Sequence, residues 1–350
     1  MEPPSPPKGY LFCSFLSYGG FSQVWKGKNE ENGTEVAIKV IHKNSMCNND
    51  TCKRISEEKI IHSSLKNDYI ASFIEFIEDI SFSYFIIEFV ERGTLLSRLK
   101  KDNFLTEIEI FHYFEQICLA VYYLHEVAHV IHHDLKLQNI LVDANNNVKV
   151  IDFGFSQRFS LDNNSFYSTC GSPKYCAPEM FSNTAHNQSV DIWSLGIILY
   201  RMVTGVFPFD HPKISKLSQI IQTCEPDYSS IQNSTISDLV QRLLCKDQTK
   251  RINILGIFNH EWFKMHSTKS RHIMSGSTSF CIDPNRTRPK LISRAKSSSS
   301  ILTLLENGSL TNQLCESGRF KKISQTPQKS RNIEKSVKFS FQGGFIENHF

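Results

Sequence analysis

Strand-like runs of apolar residues begin at Tyr10 in this chain, and later apolar residues recur at helical spacing. Residues 1–9 are Pro-rich and read as a disordered lead; from Tyr10 the pattern is strand-like. Val36-Ala37-Ile38-Lys39 alternates as a strand does, and residues 84–91 read as a buried strand that runs into an Arg92-Gly93 turn. Residues 53–65 read as a helix. A second helix starts at the capping box Thr106-Glu-Ile-Glu109, with Phe111, Phe114, Ile117, Val121 and Leu124 on its apolar face. Ile140-Leu141-Val142 and Val148-Lys149-Val150-Ile151 read as two short strands joined by the Asn-rich turn 143–147. Residues 191–200 form an apolar helix too short to span a bilayer. From Ser267 onward the periodicity fades into Ser-rich and basic clusters, which read as a flexible tail rather than a second domain.

Composition adds bounds. A chain of 350 residues, 40% hydrophobic and 11% aromatic, can build a substantial core in one large domain or two. Its net charge of +4 hides an asymmetry: residues 1–266 carry 25 Lys and Arg against 30 Asp and Glu, and residues 267–350 carry 14 against 5. The basic tail could touch acidic partners or membranes, or fold back on the acidic remainder; a solvated tail is the plainer reading. The ten cysteines include no Cys-x-x-Cys pair, so they read as packing residues, with Cys170 and Cys176 in a segment expected to be partly exposed. No leader or long apolar run is evident. We therefore expect a reduced, soluble, cytoplasmic protein, nuclear entry not being excluded, with no membrane span and no nucleic-acid partner.

Candidate chemistry concentrates between Ile131 and Gly154. Asp134, Lys136 and Asn139 share one short loop, and Asp152 follows eighteen residues after Asp134, so that the predicted hairpin would place one carboxylate at each of its ends. Phosphoryl transfer asks for such parts: a positioned hydroxyl, neutralised phosphate oxygens and Mg²⁺ held by oxygen ligands.

This stretch resembles the catalytic loop and Asp-Phe-Gly motif of eukaryotic protein kinases, and the resemblance extends over residues 10–263. It implies an α+β, two-lobed fold: a small lobe, about 10–87, with an antiparallel sheet and one main helix; a linker, 88–93; and a larger, mostly helical lobe, about 94–263. It implies Asp134 as catalytic base, Lys136 steadying the transferred phosphate, and Asn139 and Asp152 holding Mg²⁺. ATP would be bound by Leu16, Gly19, Gly20, Val24, Ala37, Lys39, Glu58, Glu88, Val90, Asn139, Leu141 and Asp152. Glu88 and Val90 would contribute backbone groups to adenine. Residues 16–24 match the family's Gly-rich loop only in part, since Ser17 and Ser22 stand at its first and third glycines. Glu58, which keeps the family's usual distance to Leu65 and Ile70, is the expected partner of Lys39, with Glu57 as the alternative. Choosing Glu58 puts His62 where an apolar residue normally packs on the Asp-Phe-Gly segment.

Residues 152–179 look like an activation segment, and its Cys170-Gly-Ser-Pro version resembles the calcium/calmodulin-dependent and SNF1-like branch. Ser168, with Thr169 as neighbour candidate, aligns with the phosphoacceptor an upstream kinase would modify. Asp191 is expected to brace the catalytic loop, and Arg251 to pair with Glu179. Lys136 and Ser172, the latter in the segment that would cradle the acceptor, point to serine and threonine hydroxyls of protein substrates. Thr94 and Gln138 replace acidic residues that hold substrate arginine in relatives. His133 replaces the arginine that pairs with a phosphorylated segment, so dependence on Ser168 is expected to be weak. The competing reading is a pseudokinase scaffold, favoured by the missing glycines and by His133 and opposed by the presence of Lys39, Asp134, Asn139 and Asp152.

Overall fold

The computed structural model describes residues 4–20, 22–43, 49–102, 104–160, 166, 171–182 and 184–266. Its first half is an antiparallel sheet of five strands, β1 (Tyr10–Tyr18), β2 (Ser22–Asn29), β3 (Glu35–His42), β4 (Phe73–Glu78) and β5 (Phe82–Glu88), in the order β1-β2-β3-β5-β4. Alternation along β3 sorts its side chains between two faces. Val36, Ile38 and Val40 join Tyr10, Tyr84 and Ile86 in one cluster. Ile41, on the opposite face with Ala37 and Lys39, packs with Phe85 and with Ile55 of helix α1 (Asn49–Ser64). Full burial of each such Val or Ile is worth about 1.5–3 kcal/mol. This is the small lobe expected.

Two sequence expectations change here. Residues 4–9 are not a disordered lead: Pro4 and Pro7 are buried, Tyr84 Oη donates to the Ser5 carbonyl at 3.1 Å, and Tyr10 N donates to the Pro7 carbonyl at 3.1 Å. β5 also stops at Glu88 instead of reaching Glu91, its pairing with β3 ending at the Val36–Glu88 pair.

The second half is mostly helical. It comprises α2 (Leu95–Asp102), α3 (Glu107–Tyr122), the short strands β6 (Val130–Ile131), β7 (Ile140–Val142), β8 (Val148–Val150) and β9 (Gln157–Arg158), then α4 (Pro178–Phe181), α5 (Ser189–Thr204), α6 (Ile214–Thr223), α7 (Ser234–Leu243) and α8 (Ile254–Phe258). The capping box forms as read: Thr106 accepts from Glu109 N while the Glu109 side chain accepts from Thr106 N. β7 and β8 pair antiparallel in the predicted hairpin. α5 is buried along nearly its whole length and ends at Gly205, whose φ of 79° suits a left-handed cap. Among the described residues no helix is long and apolar enough to cross a membrane.

Candidate active site

β6 and the β7–β8 hairpin present the loop 132–139, and α5 fixes it from below. Asp191, fully buried, accepts from His132 N at 2.8 Å, His133 N at 2.9 Å and His125 Nε2 at 2.8 Å. The bracing expected of Asp191 is what its geometry provides. Burial alone would raise its pKa, yet the hydrogen bond from His125 and the neighbouring histidines hold it below the usual carboxylate range. His133 adopts φ 65°, a left-handed conformation that costs a non-glycine residue about 1–3 kcal/mol and needs such bracing.

Asp134 is held on both oxygens. Oδ1 accepts from Ser172 N at 2.9 Å; Oδ2 accepts from Lys136 Nζ at 2.6 Å and Asn139 Nδ2 at 3.2 Å. Lys136 Nζ also donates to Ser172 Oγ at 2.9 Å, and Asn139 Nδ2 to the Asp134 carbonyl at 3.0 Å. Four residues named from the sequence, Asp134, Lys136, Asn139 and Ser172, therefore meet at one point.

A second cluster forms around Lys39. Its Nζ lies 2.7 Å from Glu58 Oε1 and 2.9 Å from Asp152 Oδ1. Glu58 is buried, while Glu57 is more exposed and lies 3.8 Å from Lys53, which settles the choice between them. Burial would pull the Lys39 pKa down, but the charges of Asp152 and Glu58 outweigh it and hold the ammonium form well above its ordinary range. For Asp152 burial pushes upward, and Lys39 overcomes it to bring the carboxyl to about 2. Asp152 has φ 67°, a second left-handed residue at the site.

A carboxylate and an amide carbonyl form a hard-oxygen donor set of the kind Mg²⁺ takes. Among the described residues the Asn139 side chain hydrogen-bonds only through its amide nitrogen and Asp152 only through Oδ1, which leaves Asn139 Oδ1 and Asp152 Oδ2 for a cation.

His62 does stand against the Asp-Phe-Gly segment. Its ring centroid is 4.8 Å from that of Phe153, which is in turn 5.1 Å from that of His132. Burial lowers the His62 pKa to about 4 against the pull of the Ala71 carbonyl, so the ring is neutral.

The other residues expected to bind nucleotide lie on β1, β2, β3 and β7, in the β1–β2 turn, and at or just after the end of β5. Ala37 and Val90 are buried, and Leu16, Val24 and Leu141 are at least partly exposed. Glu88 N donates to the Ser72 carbonyl at 2.9 Å, so the N–H of that residue is not free for a base; its carboxylate is tied to Lys149 at 2.8 Å. In the β1–β2 turn Gly19 N donates to Ser22 O at 2.7 Å, and a Cβ on Gly19 would lie 2.3 Å from Ser22 Oγ; Gly20 is unobstructed. The serine at the third glycine position crowds this turn without breaking it.

Glu179 and Arg251 meet as read, in a bidentate pair of 2.6 and 3.0 Å. Cys176 is a correction: it is buried, its thiol 3.4 Å from the Ser172 carbonyl, because the segment folds down on Asp134. Cys170, Ser168 and Thr169 lie outside the described residues. Sequence reasoning missed Phe166 and His186, which flank His133; neither sits in a motif or a periodic run that would have singled it out.

Residues 10–263 match the family model described as protein kinase domain. The chain is 35% identical over 263 residues to the cell cycle serine/threonine-protein kinase CDC5/MSD2 of Saccharomyces cerevisiae, covering 73% of this chain and 37% of that protein. It is 34% identical over 257 residues to the SNF1-related protein kinase catalytic subunit alpha KIN12 of Arabidopsis thaliana, covering 73% and 52%. It is 31% identical over 264 residues to the serine/threonine-protein kinase PLK4 of Nematostella vectensis, covering 75% and 27%. The matched region thus spans about a quarter to a half of the length of these relatives.

Proposed function

This chain belongs to the protein kinase family, and we propose that it transfers the γ-phosphate of ATP, with Mg²⁺, to serine and threonine hydroxyls of protein substrates. The observation that carries this reading is the convergence of Lys136 on both Asp134 Oδ2, at 2.6 Å, and Ser172 Oγ, at 2.9 Å. Asp134 takes the proton of the acceptor hydroxyl as its oxygen bonds to the γ-phosphorus. The bond from that phosphorus to the β–γ bridging oxygen breaks, and ADP leaves with the electron pair. Lys136 lies where it can balance charge on the transferred group.

Lys39, held by Glu58, pairs with the α- and β-phosphates, and the Glu88 carbonyl and backbone groups of Val90 meet adenine. Asn139 and Asp152 would hold Mg²⁺, which when bound neutralises phosphate charge. Asp152, ionised throughout the neutral range, suits that position.

The test is phosphate transfer from Mg-ATP to a mixed serine/threonine protein substrate by the purified chain and by Asp134→Asn. Transfer lost in the variant supports the reading. An intact chain that binds ATP but transfers nothing, even with a phosphomimetic at Ser168, would put the scaffold reading in its place.

A further inference from the structure

His133, His186 and Phe166 bring together three stretches that are far apart in sequence. His133 Nδ1 lies 3.2 Å from the Phe155 carbonyl, which can only accept, so Nδ1 carries the proton. Burial lowers the His133 pKa to about 4. In the neutral ring Nε2 is then an acceptor, and the His186 Nε2 found 3.3 Å away must be the donor. Both rings are buried, so this hydrogen bond is made without competing water.

Phe166 closes the arrangement. Its backbone pairs with His186 in both directions, N to O at 2.9 and 3.0 Å, and its ring stands edge-on to His133 with centroids 5.7 Å apart. Gly171, further along the same segment, approaches so closely that a Cβ there would meet the His133 carbonyl at 2.6 Å. The residue directly before Asp134 is thus gripped by the segment that supplies Ser172.

We infer that Phe166 and His186 are positioning residues that hold Phe166 and the described residues 171–179 on the Asp134 loop in the unmodified protein, a neutral latch where a charged arginine–phosphate clamp would otherwise act. The inference rests on the phosphotransfer reading for its effect on rate. The latch itself does not. A neutral, buried imidazole offers a phosphate no opposite charge, whereas two backbone hydrogen bonds, a ring contact and an imidazole–imidazole bond need no modification to form.

The experiment uses the full chain, phosphatase-treated and verified by mass, with Ser168→Ala/Thr169→Ala as the unmodifiable form. Both are expected to keep kcat within about twofold of untreated protein. Phe166→Ala and His186→Ala are each expected to lower kcat at least about tenfold with little change in KM for ATP. Phe166→Tyr, which keeps the ring, and His186→Gln, which keeps a donor, are expected to recover most of that loss. Hydrogen exchange supplies a readout independent of turnover: the amides of Phe166 and His186 are protected in the unmodified chain and lose protection in Phe166→Ala. Loss of kcat on phosphatase treatment, or unchanged kcat in Phe166→Ala, overturns the inference. Rapid exchange of both amides in the unmodified chain overturns it even if no phosphate is transferred, whereas protected amides in an inactive chain would count against the phosphotransfer reading alone.

Discussion

His62 Nε2 lies 2.7 Å from the carbonyl oxygen of Ala71, with the ring buried and neutral against Phe153. A histidine can thus fill a place suited to an aliphatic side chain, provided one ring nitrogen finds a carbonyl and the ring stays unprotonated. His133 meets the same condition through the Phe155 carbonyl.

Both histidines titrate near 4 in the folded chain, below the ordinary value of about 6.5 that the unfolded chain would show. The unfolded state therefore binds more protons below about 6.5, and stability present above that pH is lost as the pH falls toward 4. The slope is about 1.4 kcal/mol per pH unit for each histidine. Urea denaturation between pH 7.5 and 4.5 checks this, and in His62→Leu the slope should be shallower by one histidine's share. An unchanged slope in that variant would show His62 does not contribute.

Glu58 and Glu57 are adjacent yet opposite in consequence, since only Glu58 reaches Lys39. Glu58→Gln keeps a hydrogen-bonding group but removes the charge that steadies the ammonium. We expect kcat/KM for ATP to fall by about tenfold or more, equivalent to about 1.4 kcal/mol. Glu57→Gln should stay within about twofold. Equal losses in the two variants, measured by steady-state kinetics, would refute the assignment.

Arg251 is fully buried at its guanidinium and also donates to the Ser189 carbonyl at 2.9 Å. Arg251→Ala leaves Glu179 as a buried, unpaired charge, and the expected destabilisation is about 3–5 kcal/mol. Thermal or urea unfolding measures it. Because the Glu179 charge is itself the cost, the Arg251→Ala/Glu179→Leu double variant should be more stable than Arg251→Ala alone.

Gln138 and Thr94 bear on substrate choice. Gln138 Oε1 is buried with no hydrogen-bond partner among the described residues, a neutral acceptor beside the Asp134 loop. A neutral group attracts a guanidinium far less than a carboxylate does. A peptide library is therefore expected to show weak selection for arginine upstream of the acceptor. Dominant selection for arginine three residues before it would contradict this, and Gln138→Glu should increase whatever arginine preference exists.

What could be read from the chain alone was whatever depends on neighbours a few residues apart. The Thr106–Glu109 capping box, the Asn-rich hairpin after Asp134 and the apolar run of α5 all follow from local hydrogen bonding and side-chain period, and all form as read. The cluster of Asp134, Lys136 and Asn139 was legible because its members share one short loop. Other features required the chain to cross itself. The packing of residues 4–9 on Tyr84, the descent of Ser172 onto Asp134 that buries Cys176, and the grip of Phe166 and His186 on His133 join positions far apart in sequence. No local period encodes such pairs. Each exists only once the sheet, α1 and α5 have brought the segments together and removed water between them, and that was decided by the tertiary structure.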